Sequence, residues 1–597
     1  MTKLLDTTIR LLSQEPLAGK VPTGDVLRIA AVLDRAGFAC LEVAGGGTFD
    51  AAVKRGVESP WERIRAIDAR TVTPLGIALR GRFLVGSRPA SGDIVRRFVA
   101  CAASNGIDVF RLHDPLNDVL GLQEAAAAIV AAGGELHVGL VYSRGRNDEI
   151  DTLVERARHL AALGATRVIL SDPTDALVPH LTEELVGRIG EASGLPVGLS
   201  VQGAAGTGLL NAVVATRAGA DLIATAVYPL ALTLHRVSSE SLTEALVGLG
   251  RIEGIDLARL WEASDLVDEH LGDQPVAPVA PRIAVRAAEF DLPAGLVAAL
   301  DVHLRANGAA DRLLDTLVEV RRIRAESGWP PLASPIGQIL GSQALLNVLS
   351  ARRYVTVLDE FRALVEGRFG NPPAPVDETV RRAVELLSAD APAVDDEPPS
   401  VGDVRGAAAG LAAAEEDLVL IALFGAAAEG LLRTIRQRHQ GVSLLGGDVD
   451  TYRAGQIRDL VKLVQESGVG EIEIEDDGMR VTVRRAGEVV VAGTPAAVAS
   501  PADAPTAAVV PGALRVESPM VGVFYRSPEP GAASFVELGA VVAAGQTLCL
   551  IEAMKLFNEL KAETSGHVVA IHAESGDAVE FGTLLFELEP INAPPTV

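Results

Sequence analysis

Residues 105–112, Asn105-Gly106-Ile107-Asp108-Val109-Phe110-Arg111-Leu112, decide how the first half of this chain folds. A glycine turn opens a short apolar run, and a helical stretch follows it. The run is mostly apolar on both faces, which is the pattern of a parallel strand covered on each side. Seven other runs read as strands, several of them with the same pattern: Leu4–Ile9, Cys40–Val43, Leu75–Leu79, Leu136–Val141, Arg167–Ser171, Val197–Val201 and Leu222–Ala226. Eight β-then-α units within residues 1–245 predict an α/β fold, a (β/α)8 or TIM barrel.

The rest of the chain needs further domains. At 597 residues it is too long for one core. Apolar residues make up 48% and charged residues 22%, the balance of a soluble globular protein. A net charge of −25 argues against nucleic acid as a partner. Cys40, Cys101 and Cys549 are scattered without metal or redox spacing, which suits a reducing cytoplasm. Residues 1–20 lack a signal-peptide pattern, and no apolar run is long enough to span a bilayer, so no membrane association is expected.

Residues 246–386 are expected to be a mostly helical domain. Residues 387–414, rich in Ala, Pro, Asp and Gly, read as a linker, and 415–440 as the end of the helical region. Ile457, Leu460, Val461, Leu463 and Val464 recur at helical spacing. Ile472, Ile474, Val481 and Val483 alternate as a hairpin around Asp477-Gly478, so 451–486 form a helix and hairpin. An Ala/Pro linker over 487–512 follows. In polyproline form, at ~3.1 Å per residue, it would span roughly 70–80 Å. A small all-β domain, a flattened barrel, fills 513–592.

Within that last domain Glu552-Ala553-Met554-Lys555 lies between two short runs, Thr547–Glu552 and Phe557–Ala562. The runs read as a hairpin with Lys555 at its tip, and Gly522, Gly539, Gly545, Gly566, Gly576 and Gly582 punctuate the other turns. The tetrapeptide resembles the one that carries biotin in biotin-dependent carboxylases and decarboxylases. That resemblance makes Lys555 the attachment point, since an amide to biotin needs a primary amine that Arg cannot supply. Met554 and Ala553 would shape the turn that a biotin protein ligase reads, with Glu552 beside them.

Residues 513–590 resemble the biotin carboxyl carrier protein of bacterial acetyl-CoA carboxylase. Met520-Val521-Gly522-Val523-Phe524-Tyr525-Arg526-Ser527-Pro528-Glu529-Pro530 is similar to that family's start and protruding thumb, the thumb itself covering about Ser527 to Ser534. Residues 457–483 resemble its amino-terminal segment, which extends the likeness over about 451–590.

Residues 1–435 resemble a second family, the carboxyltransferase region of pyruvate carboxylase and oxaloacetate decarboxylase α subunits. The likeness rests on Asp6-Thr7-Thr8-Ile9-Arg10, Leu41–Asp50, Pro60-Trp61-Glu62-Arg63, Asn105–Arg111, Gly328-Trp329-Pro330-Pro331-Leu332, Gln338–Ala344 and Phe369–Val376. That family holds a divalent metal on an Asp, a carbamylated Lys and a His-x-His pair. Those positions fall here on Leu11, Ser171, Ser200 and Gln202, so no metal is expected. Arg10, Gln14, Arg80 and Thr233 fall on positions that contact substrate or move a proton. Gly45-Gly46-Gly47 and Gly203-Ala204-Ala205-Gly206 offer small-residue loops through which backbone amides could approach a phosphate.

Together the resemblances imply the biotin carboxyl carrier component of an acetyl-CoA or related acyl-CoA carboxylase, in fatty acid biosynthesis, on a barrel inactive in the family reaction. Lys555 would take a carboxyl group at a separate biotin carboxylase subunit and deliver it to acyl-CoA carboxyltransferase subunits, with the barrel and helical region forming a homo-oligomer. The alternative is a pyruvate carboxylase B-type or oxaloacetate decarboxylase α-type subunit with an active barrel. A non-enzymatic tethering hub is the third reading.

Overall fold

The computed structural model describes residues 1–145, 149–271, 280–350, 352–388, 398–407, 410–444, 471–476 and 479–484, and much of 514–590. The chain divides into two compact units, Met1–Leu445 and Gly446–Val597.

The first unit is built on a closed barrel of eight parallel strands in sequence order: β1 (Lys3–Asp6), β2 (Cys40–Gly45), β3 (Leu75–Arg80), β4 (Ile107–His113), β5 (Glu135–Val141), β6 (Arg167–Asp172), β7 (Val197–Val201) and β8 (Leu222–Thr225). β8 closes on β1, with Lys3 opposite Leu222 and Asp6 opposite Thr225. Each of the eight predicted runs contains a strand, but the first is shorter than the expected Leu4–Ile9, since Thr8 and Ile9 are helical. β1 stops at Asp6 because its carboxylate turns the chain: Oδ2 accepts from Thr8 N at 2.9 Å and Oδ1 from Thr8 Oγ1 at 2.6 Å. A helix, Thr8–Leu12, begins there.

Two apolar layers follow from the two faces of each strand. The main core lies between the strands and the surrounding helices, where Phe49, Trp61 and Phe98 meet with ring centroids 4.9–5.7 Å apart. Each ring is fully buried, a contribution of roughly 1.5–3 kcal/mol for a side chain of that size. A smaller cluster joins Leu5, Cys40, Val109, Ile169 and Leu222. These come from β1, β2, β4, β6 and β8, which are mostly not neighbours, so they meet inside the barrel. Side chains two residues on point the same way. Glu42, Arg111 and Ser171 therefore continue the interior toward the carboxyl ends of the strands.

A helical layer follows, from Pro281–Phe290 to Glu378–Ser388, around its own core that includes Val297, Leu317, Val320, Leu340 and Phe361. Buried Arg324 fastens it to the barrel. Its guanidinium donates to Ser143 O at 3.1 Å, Arg144 O at 2.6 Å and Pro330 O at 2.9 Å, and it lies 5.5 Å from the Trp329 ring. Phe83 stacks on Phe369 at 5.0 Å across the same boundary.

The segment 387–414 is not the plain linker its composition predicts. Val401–Ala407 is helical, and Val401 and Val404 are buried in the barrel's core. Two more helices, Glu415–Phe424 and Ala427–Leu444, pack on the barrel helices Gly92–Ser104 and Gly46–Arg55 respectively. Arg65 holds Glu416 at 2.6 Å, and Arg97 pairs with Glu415. Residues 415–440 thus belong to the barrel's surface rather than to the end of the helical layer.

In the second unit β9 (Glu471–Asp476) and β10 (Met479–Arg484) form the predicted hairpin, paired up to Asp476 and Met479. The helix expected over 457–464 and the linker over 487–512 lie outside the described residues. The last domain has eight short strands: β11 (Leu514–Glu517), β12 (Gly522–Tyr525), β13 (Val541–Val542), β14 (Thr547–Ala553), β15 (Leu556–Lys561), β16 (Gly566–Ile571), β17 (Ala578–Val579) and β18 (Leu584–Pro590). They form two four-stranded sheets, β11-β18-β16-β13 and β15-β14-β12-β17. Phe524, Val542, Leu548, Cys549, Val568 and Phe586 fill the space between them. Burial pushes the Cys549 thiol up to about 12, so it packs as an apolar side chain.

Candidate functional site

Two places are candidates for the chemistry. The first is the β14–β15 hairpin. Its ladder runs from Thr547 opposite Lys561 to Ala553 opposite Leu556. Two residues separate the paired ends, Met554 and Lys555, and both lie outside the described residues. Most of the thumb, 528–533, does so too. The hairpin itself fits a biotin carrier, because strands paired to within one residue of each side leave a two-residue connection for the amine.

The second place is the mouth of the barrel, where Arg10, Glu42, Arg80, Arg111 and His113 converge. Glu42 is 1% exposed and sits between two arginines. Arg10 Nε lies 2.5 Å from Oε1, and Arg111 Nε lies 2.9 Å from Oε2. Arg111 also donates from Nη1 to Ser200 Oγ at 3.3 Å. Burial pushes the Arg111 guanidinium down, and Glu42 opposes that shift. Burial pushes the His113 imidazole down to about 3, helped by the charges of Arg111, Arg80 and Arg10, so His113 is neutral.

The three glycines after β2 make room for this cluster. A Cβ on Gly45 would come within 3.3 Å of Arg10 Cδ, and one on Gly47 within 2.8 Å of Gln14 Oε1. A Cβ on Gly46 would overlap Arg80 Nη2. Gly45-Gly46-Gly47 is therefore filled by Arg10, Gln14 and Arg80, and is not the open phosphate cradle that its composition suggests. Arg80 donates to Val85 O at 2.7 Å and to Ser334 Oγ at 3.3 Å. The second small-residue loop is also committed: Gly203 N donates to His235 O at 3.1 Å, and Asp175 gathers Thr207 N and Thr207 Oγ1 at 2.9 and 2.7 Å. Thr233 stays on its helix, with Oγ1 donating to Pro229 O at 2.8 Å.

The residues at the expected metal positions do not fit a metal. Leu11 is a fully buried apolar side chain. Ser171 and Ser200 are neighbours in register on β6 and β7. Gln202, just past β7, pairs through its backbone with Arg236. Asp172 points to the other face of β6 and accepts from Thr174 N at 3.0 Å and Leu177 N at 2.8 Å, holding a loop. Among the described residues no group of three or more His, Cys, Asp or Glu could hold an ion.

Comparison with known proteins divides the chain into three matched regions. Residues 2–267 match the HMGL-like family, 288–482 the conserved carboxylase domain and 514–588 the biotin-requiring enzyme domain. The chain is 32% identical over 518 residues to the pyruvate carboxylase B subunit of Methanocaldococcus jannaschii, covering 84% of this chain and 89% of that one. It belongs to the family of pyruvate carboxylase B subunits. A second relative, the 2-oxoglutarate carboxylase large subunit from Hydrogenobacter thermophilus, is 30% identical over 601 residues, 94% of this chain and 90% of that one. The carboxyl transferase domain of Rhizobium etli pyruvate carboxylase has the same fold, with a TM-score of 0.68 at 22% identity over 81% of this chain and 84% of that one.

Membership in this family corrects the acetyl-CoA carboxylase reading. The conserved carboxylase domain runs to 482, through the segment read as the amino terminus of an acetyl-CoA carboxylase carrier. One amphipathic helix and one hairpin of alternating residues are too common a pattern to separate the two families, and fatty acid biosynthesis has no support in the relatives. The cofactor that the family implies is biotin. Among the described residues no helix is long and apolar enough to cross a membrane.

Sequence reasoning missed Glu42, Arg111, His113 and Arg236 as members of the mouth. For Glu42, Arg111 and His113 a signal was present: ionisable residues at alternate positions near the carboxyl end of strands that are otherwise apolar, whereas Arg236 lies between two helices and had no such signal.

Proposed function

We propose that this chain is the biotin-bearing carboxyltransferase component of a multi-subunit carboxylase whose acceptor is a 2-oxo acid. A biotin carboxylase on another polypeptide is its partner. The observation that supports this is the likeness to a pyruvate carboxylase B subunit and a 2-oxoglutarate carboxylase large subunit along most of all three chains. Lys555 is the attachment residue and a biotin protein ligase its modifier. Biotin, when attached, supplies a carboxyl group on its ureido nitrogen.

The barrel mouth receives the acceptor. A 2-oxo acid presents a carboxylate to guanidinium groups, which bind such anions in bidentate fashion. Arg80 and Arg10 are assigned to this task, with Gln14 beside them. His113, held neutral beside three guanidinium groups, can hydrogen-bond the acceptor but is a poor base, because the same charges oppose its protonation. The two smaller assignments that the resemblance gave, Thr233 at a position that contacts substrate or moves a proton and the thumb as a contact to the biotin ring, stay with this proposal as positions to vary.

The test is fixation of labelled bicarbonate by the biotinylated chain with its cognate biotin carboxylase and ATP. Pyruvate, 2-oxoglutarate and acetyl-CoA are offered in turn, with avidin as inhibitor. Avidin-sensitive label in the product of a 2-oxo acid supports the reading. Label transferred only to the CoA ester overturns it.

A further inference from the structure

We propose that the barrel mouth is a metal-independent anion site, in which the guanidinium of Arg236, together with those of Arg10 and Arg111, stands where the family resemblance places a divalent cation. The inference rests on the 2-oxo acid reading for the identity of the ligand, but not for the existence of the site.

Three observations carry it. First, two of the four expected metal positions are attached to arginines. Ser200 Oγ accepts from Arg111 Nη1 at 3.3 Å, and Gln202 pairs through its backbone with Arg236. A dication placed among Ser171, Ser200 and Gln202 would face guanidinium groups instead of carboxylates, with neutral oxygen donors only. Second, the charges do not balance. Arg10 and Arg111 share Glu42, and among the described residues that is the one carboxylate paired with them. Arg236 has no carboxylate partner among the described residues, and the charges of Arg10 and Arg111 push its guanidinium down further after burial has done so, to about 9. Three cations against one anion in a half-buried pocket is a standing demand for a negative ligand. Third, the nearby aspartates do not answer it. Asp172 and Asp175 hold backbone and hydroxyl donors of their own loops, and burial pushes both carboxyls up.

The ligand class is a small carboxylate, and a fixed guanidinium would also stabilise negative charge on an adjacent oxygen of a 2-oxo acid. No bond is made or broken in this binding step, and no metal is required for it.

The test is isothermal titration of the full biotinylated chain, treated with EDTA, using pyruvate, 2-oxoglutarate and oxalate as probes. At least one probe is expected to bind with EDTA present, and added Mn²⁺ is expected to leave its affinity unchanged. Replacing Arg236→Gln is expected to weaken that probe about ten- to hundredfold, the effect of losing one hydrogen-bonded charge, while Arg236→Lys retains part of it. Binding that appears only with Mn²⁺, no binding of any probe, or an Arg236→Gln variant that binds as tightly as the parent would each overturn the proposal. Binding arises without turnover, so failure of the carboxylase reading shows separately: anions would bind in EDTA while labelled bicarbonate reaches no 2-oxo acid.

Discussion

Glu42 and Arg111 are joined inside the barrel by two contacts, Nε to Oε2 at 2.9 Å and Nη2 to Oε1 at 3.0 Å. The carboxylate is 1% exposed and the guanidinium 14%. Removing the charge by Glu42→Gln leaves Arg10 and Arg111 with no anion between them. Breaking a buried pair from one side costs about 3–5 kcal/mol, so the urea midpoint should fall clearly below that of the parent. An unchanged midpoint would show that solvent in the mouth already screens these charges.

Lys555→Arg should abolish biotin incorporation and leave folding intact. Arginine keeps the cationic character of the unmodified lysine but cannot form the amide to biotin, and a change in stability of about 0.5 kcal/mol or less is expected. A streptavidin blot and an intact mass measurement read the first effect, and a melting curve the second. A blot that remains positive places the biotin on another lysine.

Arg324→Ala should loosen the helical layer from the barrel. It removes the donors to Ser143, Arg144 and Pro330 carbonyls and the contact with the Trp329 ring. Leaving buried acceptors unmet costs about 1–3 kcal/mol per group, so a loss of about 3 kcal/mol is expected overall. Limited proteolysis should then cut within 281–388 at a lower temperature than in the parent. Equal resistance in both proteins would assign the docking to apolar contacts such as Phe83 on Phe369.

Acid should destabilise the protein through His113. The ring takes a proton near 6.5 in the unfolded chain but only at about 3 in the folded one. The unfolded state therefore binds more protons between those values, and stability falls as pH drops through that window, by at most about 1.4 kcal/mol per pH unit. Asp6 works in the opposite sense. Burial raises its folded pKa to about 7, so its contribution is complete below about 4 and is lost as pH rises through 7. The comparison of interest is the parent against His113→Gln. The variant should lose less stability between pH 6 and 4. Parallel curves for the two proteins would mean that the ring is already protonated in the folded state.

Strands were legible in this sequence wherever both faces are buried. Runs such as Val168-Ile169-Leu170 have few alternatives, and a one-residue slip changes little in their composition. The hairpin of β14 and β15 was legible for the opposite reason: its alternation and turn signals fix a register. Partner-dependent features were hidden. Nothing in Val401–Ala407 announces a docking helix, because its two valines acquire meaning only from the barrel surface that covers them. The same holds for the mouth. Arg236 stands 194 residues beyond Glu42 in sequence, and only closure of the barrel brings its charge to bear on Arg10 and Arg111. The substitutions at Leu11, Ser171, Ser200 and Gln202 were visible as losses. What replaced them became visible only in three dimensions.

The return of residues 401–444 to the barrel makes that domain discontinuous in sequence. Its outer surface is completed by chain that arrives after the helical layer has been built. An expression boundary drawn at residue 387 would strip the cover from the Phe49–Trp61–Phe98 side and leave the apolar partners of Val419, Leu420 and Leu431 facing water. Any excised barrel therefore needs both segments, either as two fragments mixed together or as a permuted chain. Insertion of the helical layer between them also means that, during synthesis, the barrel's outer helices gain this cover only after more than 400 residues have emerged, although its strands can close at Thr225.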